Sequence, residues 1–153
     1  MIRVEGTVEA TIKADTVVAL KAGDRRRAQA LRLLTAALKK SRIDAGETPT
    51  EQQETVVLKR ERKRRAEAAV LYEQAGRDEL AAQERFEEEI IAGYLPEELG
   101  DDELAAIVDR AIAETGASTP KDMGKVMGAV MKQVAGRADG GTVNQMVRTR
   151  LGV

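Results

Sequence analysis

The apolar residues near the C-terminus repeat at helical spacing. Met123, Val126, Met127, Val130, Met131 and Val134 fall at intervals of 3, 4, 7, 8 and 11, which places them on one face of a helix. Its start is written just upstream. Thr119 is a candidate N-cap, Pro120 takes the first helical position, and Asp122 brings negative charge to the positive end of the dipole. Gly136 supplies a left-handed stop, and Asp139 caps a following helix that buries Val143, Met146, Val147 and Leu151.

The same pattern predicts helices upstream. Met1–Ala10 mixes β-branched residues with a glycine and reads as a frayed arm or a lead-in. Ile12, Val17 and Leu20 predict a first helix over Thr11–Ala22, ended by Gly23. Asp24 caps a second over Arg25–Ala45, which buries Leu31, Leu34 and Leu38 and stops at Gly46. Thr48-Pro49-Thr50-Glu51 reads as a capping box opening a third helix that runs to Ala75. Asp78 then caps a fourth that buries Ala82, Phe86, Ile90 and Tyr94. Pro96 forces its predecessor out of helical conformation, so the domain boundary is placed at Leu95–Asp101. Beyond it, Leu104, Ile107, Val108, Ala111 and Ile112 form one more face, closed by Gly116. No stretch alternates as a strand does. The expected fold is all-α: an N-terminal helical hairpin or bundle over residues 1–95, and a C-terminal three-helix unit over 96–153.

Composition narrows the chemistry. The chain has no Cys and no His, which removes disulfides, thiolate metal sites and the usual Ser-His, Cys-His and His-zinc arrangements. Neither a G-x-x-x-x-G-K-[ST] nor a G-x-G-x-x-G sequence occurs. Glu87, Glu88, Glu89, Asp101, Asp102 and Glu103 read as a solvated face and a helix N-terminus, because consecutive helical residues diverge by about 100°. No catalytic residue, metal ligand or cofactor is therefore expected. No apolar run approaches the roughly 20 residues that span a membrane, and the N-terminus has no apolar signal core; the expected location is cytoplasmic.

Charge is dense, at 33% of residues, and segregated. Residues 24–65 hold 13 basic and 6 acidic residues; 66–116 hold 3 and 15; 117–153 hold 6 and 2. The run Lys59-Arg60-Glu61-Arg62-Lys63-Arg64-Arg65 has two readings. It neutralises RNA phosphates, or it faces the acidic fourth helix across a hairpin. The second is preferred, because the connection at Gly76–Arg77 is short. Arg25-Arg26-Arg27 opens a helix, the unfavourable end for cations. Gly124 and Gly128 form a GxxxG, read here as close packing of a neighbouring helix. The C-terminal cations Lys125, Lys132, Arg137, Arg148 and Arg150 are the candidate RNA-binding residues. Lys125 and Lys132 share a helix face away from the Met/Val stripe. Arg137 sits beside exposed amides at a helix start and binds phosphate there, or else bonds a carbonyl or carboxylate and holds the turn.

Several segments carry a family resemblance. Asp122-Met123-Gly124-Lys125-Val126-Met127 and Gly136-Arg137-Ala138-Asp139-Gly140 resemble the YqeY family, which is similar to the C-terminal tail domain of the GatB component of glutamine-dependent tRNA amidotransferases (GatB/YqeY). Leu20-Lys21-Ala22-Gly23-Asp24, Leu31-Arg32-Leu33-Leu34, Ala75-Gly76-Arg77 and Tyr94-Leu95-Pro96 extend the resemblance over Thr11 to Leu151. Gly100 and Ala68 stand where serine is usual, and Lys132 where proline often follows methionine. The resemblance implies a tRNA-binding module, or an accessory to the amidotransferase (a carbon-nitrogen ligase with glutamine as amido-N-donor), with tRNA or amidotransferase subunits as partners. It implies no catalysis by this chain alone. The alternative is a protein-protein interaction module with no RNA role.

Overall fold

The computed structural model describes residues 7–152, so the reading of residues 1–6 as an arm lies outside the described residues. Every regular element among the described residues is helical, and none is long and apolar enough to cross a membrane. The chain divides into two compact units, 1–95 and 96–153.

The first unit holds four helices. Helix α1 spans Val8–Lys21, three residues ahead of the expected start at Thr11. The Thr7 hydroxyl accepts from the Ala10 amide at 3.2 Å. Glu54, 45 residues away on another helix, accepts from the Val8 amide at 3.1 Å and the Glu9 amide at 3.0 Å. A carboxylate on two free amides at the positive end of a helix dipole fixes that start. The buried face also differs from expectation. Glu9, Thr11, Ile12, Asp15 and Ala19 face in, while Val17 and Leu20 are exposed.

Helix α2, Arg25–Ala45, has the expected bounds, with Asp24 accepting from the Arg27 amide at 3.0 Å and left-handed Gly46 at its end. Leu31, Leu34 and Leu38 are buried. Helix α3, Glu51–Gln74, begins with a capping box two residues later than expected. Thr50, not Thr48, is the N-cap. Its hydroxyl accepts from the Gln53 amide at 3.2 Å, and the Gln53 side chain returns the bond to the Thr50 amide at 2.9 Å.

Helix α4, Asp78–Ala92, is not capped by Asp78. Arg77 holds the cap position without a side-chain bond, and Asp78 is the first helical residue, where its charge still complements the dipole. Ile90 is buried as expected, with Ile91 beside it, whereas Ala81 is buried in place of Ala82, which is exposed. Phe86, Tyr94 and Leu95 pack against the core from its edge. The main packed pairs are α1 with α2 and α3 with α4.

The second unit packs α5, Asp101–Thr115, with α6, Met123–Val134, and α7, Gly140–Leu151. Its core is Leu104, Val108, Ala111, Val126, Val130, Val134, Val143 and Val147. A 3-10 turn over Pro120–Asp122 leads into α6. Asp122 accepts from the Ser118 amide at 3.0 Å and the Thr119 amide at 3.1 Å. These backbone bonds hold its carboxyl below the usual carboxylate range. Asp139 caps α7, accepting from the Thr142 amide at 3.1 Å. On α6 one expectation fails, and the left-handed Gly136 stop holds with a second left-handed residue ahead of it. Met131 is exposed. Its left-handed cap is Ala135, at φ 47°, with Gly136 following at φ 81°.

Candidate nucleic-acid interface

The basic residues of the two units have different surroundings. In α3, Arg65 is nearly enclosed, its side chain 15% exposed. It bridges buried Glu61 on its own helix and Glu87 of α4, the latter at 3.2 Å. Gln83 donates to the other oxygen of Glu87 at 3.1 Å and accepts from Arg26 of α2 at 3.0 Å. The Arg26 guanidinium also lies 3.9 Å from the centroid of the Phe86 ring. This contact gives the unfavourable Arg25-Arg26-Arg27 opening an internal use, since a cation over an aromatic face is attracted by the ring quadrupole. Burial and the Glu87 charge push the Glu84 carboxyl above its ordinary range, and Arg65 opposes them. Arg85 answers from α4, 3.3 Å from Glu73 and 3.1 Å from Glu88. Part of the α3 run thus faces the acidic helix.

Further charged groups in the first unit went unremarked in the sequence. Glu9 is buried, 3.1 Å from Lys13 and 3.2 Å from Arg42. Burial raises its pKa, but these two cations outweigh it and hold the carboxyl below the usual range. The Tyr94 hydroxyl donates to buried Asp15. Burial, then the Asp15 carboxylate, push the phenol well above its ordinary pKa, with Arg27 opposing. Glu9–Lys13 is a local i,i+4 pair, but no local pattern announces Glu9–Arg42 or Tyr94–Asp15, whose members stand 33 and 79 residues apart.

In the second unit the five candidate cations separate into two groups. Arg137 is half-buried. Its Nε donates to the Glu97 carbonyl at 2.9 Å, its Nη2 lies 4.0 Å from Glu103, and its own carbonyl accepts from the Leu99 amide at 2.8 Å. Arg150 reaches Asp109 of α5 at 2.7 Å. These two brace the unit. Lys125, Lys132 and Arg148 are exposed and make no ion pair among the described residues.

The glycines of α6 overturn the helix-packing reading of GxxxG. Gly124 and Gly128 are both exposed, and a Cβ at either would meet nothing within 4 Å. On a helical wheel they lie between Met131 on one side and Lys132 and Lys125 on the other, opposite buried Val126, Val130 and Val134. Two glycines inside a helix cost about 0.5–1 kcal/mol each relative to alanine, and among the described residues nothing packs on either glycine to offset that.

The family profile described as Yqey-like protein matches residues 9–151. The chain belongs to this family. No curated protein matches it. In this Yqey-like chain the matched segment includes both units and every candidate cation. Among the described residues no group of three or more His, Cys, Asp or Glu side chains is arranged to hold a metal ion.

Proposed function

We propose that the chain is a non-catalytic RNA-binding module, an accessory to tRNA chemistry of the kind implied by its resemblance to the amidotransferase tail domain, and that α6 provides the contact. One observation carries the reading: a bare two-glycine helix face edged by Lys125 and Lys132, exposed cations in no ion pair among the described residues. A helix without side chains along one stripe lets a phosphate backbone come close, and flanking lysines neutralise it. Arg148 on α7 adds a third exposed cation, while Arg137 and Arg150 hold the unit in shape. A protein helix laid against Gly124, Gly128 and exposed Met131 is the second reading, with no RNA role.

Binding to a tRNA pool across a salt series tests it. Lys125→Glu with Lys132→Glu should weaken binding, each lost phosphate contact reducing the salt slope by roughly 0.7–0.9. Gly124→Ala with Gly128→Ala should leave the fold intact, because each Cβ enters open space, yet weaken binding by keeping the backbone at a distance. Unchanged binding in both double variants would sink the assignment. No binding even at low salt would favour the protein partner.

A further inference from the structure

The C-terminal half of α2 and the middle of α3 enclose a groove of about 780 Å³ in the first unit. Lys40 of α2 and Arg60 and Arg64 of α3 rim it. Lys40 and Arg60 are exposed and make no ion pair among the described residues. Arg64 keeps its side chain 70% exposed while touching Glu61 at 3.3 Å. Arg60 and Arg64 belong to the basic run and make no ion pair with α4 among the described residues. Arg60 and Arg64 are four residues apart, so they project from one face of α3 about 6 Å from each other along its axis. Ala36 and Ala37 give the groove small walls, and the Ser41 side chain adds a hydroxyl.

We propose that this groove binds a free oligophosphate, a ligand with two or more linked phosphate groups. Three cations converge on one concave space, and Glu61, the buried carboxylate at its wall, is already neutralised by Arg65. Arginine forks suit phosphate oxygens, and lysine adds a mobile point charge. No aromatic ring lines the groove, so it has no stacking platform for a base, which single-stranded nucleic-acid sites use. Recognition is therefore of phosphate. Asp44, also in the lining, opposes the ligand and limits affinity. The assignment concerns the first unit and stands independently of the RNA contact on α6.

Titration of the full chain with inorganic tripolyphosphate, followed by calorimetry and by amide shifts of Ala36 and Ala37, tests it. Saturable binding should appear, weaken with salt, and fall at least tenfold in Lys40→Ala with Arg60→Ala, whose side chains are exposed. Asp44→Asn should tighten it severalfold by removing the opposing charge. Lys125→Ala with Lys132→Ala should leave it unchanged. Absence of saturation, indifference to the Lys40 and Arg60 pair, or loss through the Lys125 and Lys132 pair would each overturn the site. If an oligouridine binds through Lys40 and Arg60 while tripolyphosphate does not, the groove belongs to an RNA surface and the oligophosphate assignment falls.

Discussion

The two units bury different things. The first encloses Glu9, Thr11, Asp15, Glu54 and Glu61 beside its leucines, whereas the second encloses only apolar side chains, most of them valine. A buried charge is tolerated only when it is paired and hydrogen-bonded. The first unit therefore draws two of its cations to enclosed carboxylates: Arg42 to Glu9, and Arg65 to Glu61 and Glu87. The second has no buried carboxylate among the described residues, so Lys125, Lys132 and Arg148 remain outside. In the first unit Arg65 is lost to the surface, while Arg60, Lys63 and Arg64 of the same basic run stay exposed. How much of a basic run stays on the surface depends on how many carboxylates the fold has already matched to it.

Removing Arg65 breaks this contrast hardest. Arg65→Ala leaves Glu87 enclosed without its cation and Glu61 with only the exposed Arg64, a loss of about 3 kcal/mol, since breaking a buried pair costs about that much. Urea unfolding monitored in the first unit should show that loss. Arg148→Ala, at an exposed site, should change stability by less than about 0.5 kcal/mol. Replacing Glu61, Arg65 and Glu87 together by leucine, methionine and leucine should recover most of the loss, because buried ionic groups are often exchanged for apolar ones at little cost. A loss for Arg65→Ala as small as for Arg148→Ala would mean that the network adds nothing.

The legibility of the chain follows the same division. The valine stripe of α6 and the leucines of α2 could be read from spacing alone, because burial there obeys helical period. Asp24, Asp139 and the glycine stops could also be read, since caps are local. The start of α1 was missed although Thr7 caps it locally, and the Glu54 carboxylate that also holds it is on α3 and leaves no local mark. The inward face of α1 was missed because Glu9 and Asp15 occupy positions that a hydropathy pattern assigns to solvent. On α4 Ala81 enters the core instead of Ala82, and two adjacent alanines give no periodic signal to separate them. At the candidate site, the exposed lysines were legible, and so was a turn-holding bond from Arg137 as one of its two readings, but the partners of Arg137 and the bracing role of Arg150 were not. Their partners Glu97 and Asp109 are 40 and 41 residues away.

Tyr94 gives a smaller effect with a pH signature. Its folded-state pKa is raised by burial and by Asp15, so its contribution is fully present below the unfolded value of about 10 and is lost as pH rises above it. Tyr94→Phe should cost about 1.5 kcal/mol at neutral pH, the worth of a hydrogen bond to a charged group. The variant should then lose less stability than the parent between about pH 9 and 11. Parallel pH curves for the two would show that the hydrogen bond is not the coupling.

The smallest effect has the opposite sign and belongs to the second unit. Ala135 carries a Cβ at φ 47°, the only positive-φ residue other than glycine among those described. The left-handed region costs an L-residue roughly 1–2 kcal/mol. The chain accepts this because Ala135 and Gly136 must turn sharply after Val134 for Arg137 to meet Glu97 and Leu99. Ala135→Gly removes the steric cost but adds freedom to the unfolded chain, worth about 0.4–1 kcal/mol in the other direction. The net expectation is a gain of about 0.5 kcal/mol in the second unit. Hydrogen exchange of the core amides of α6 and α7 resolves a change of that size. Slower exchange supports the strained turn. Faster exchange would mean that the Ala135 methyl makes contacts that outweigh its backbone cost.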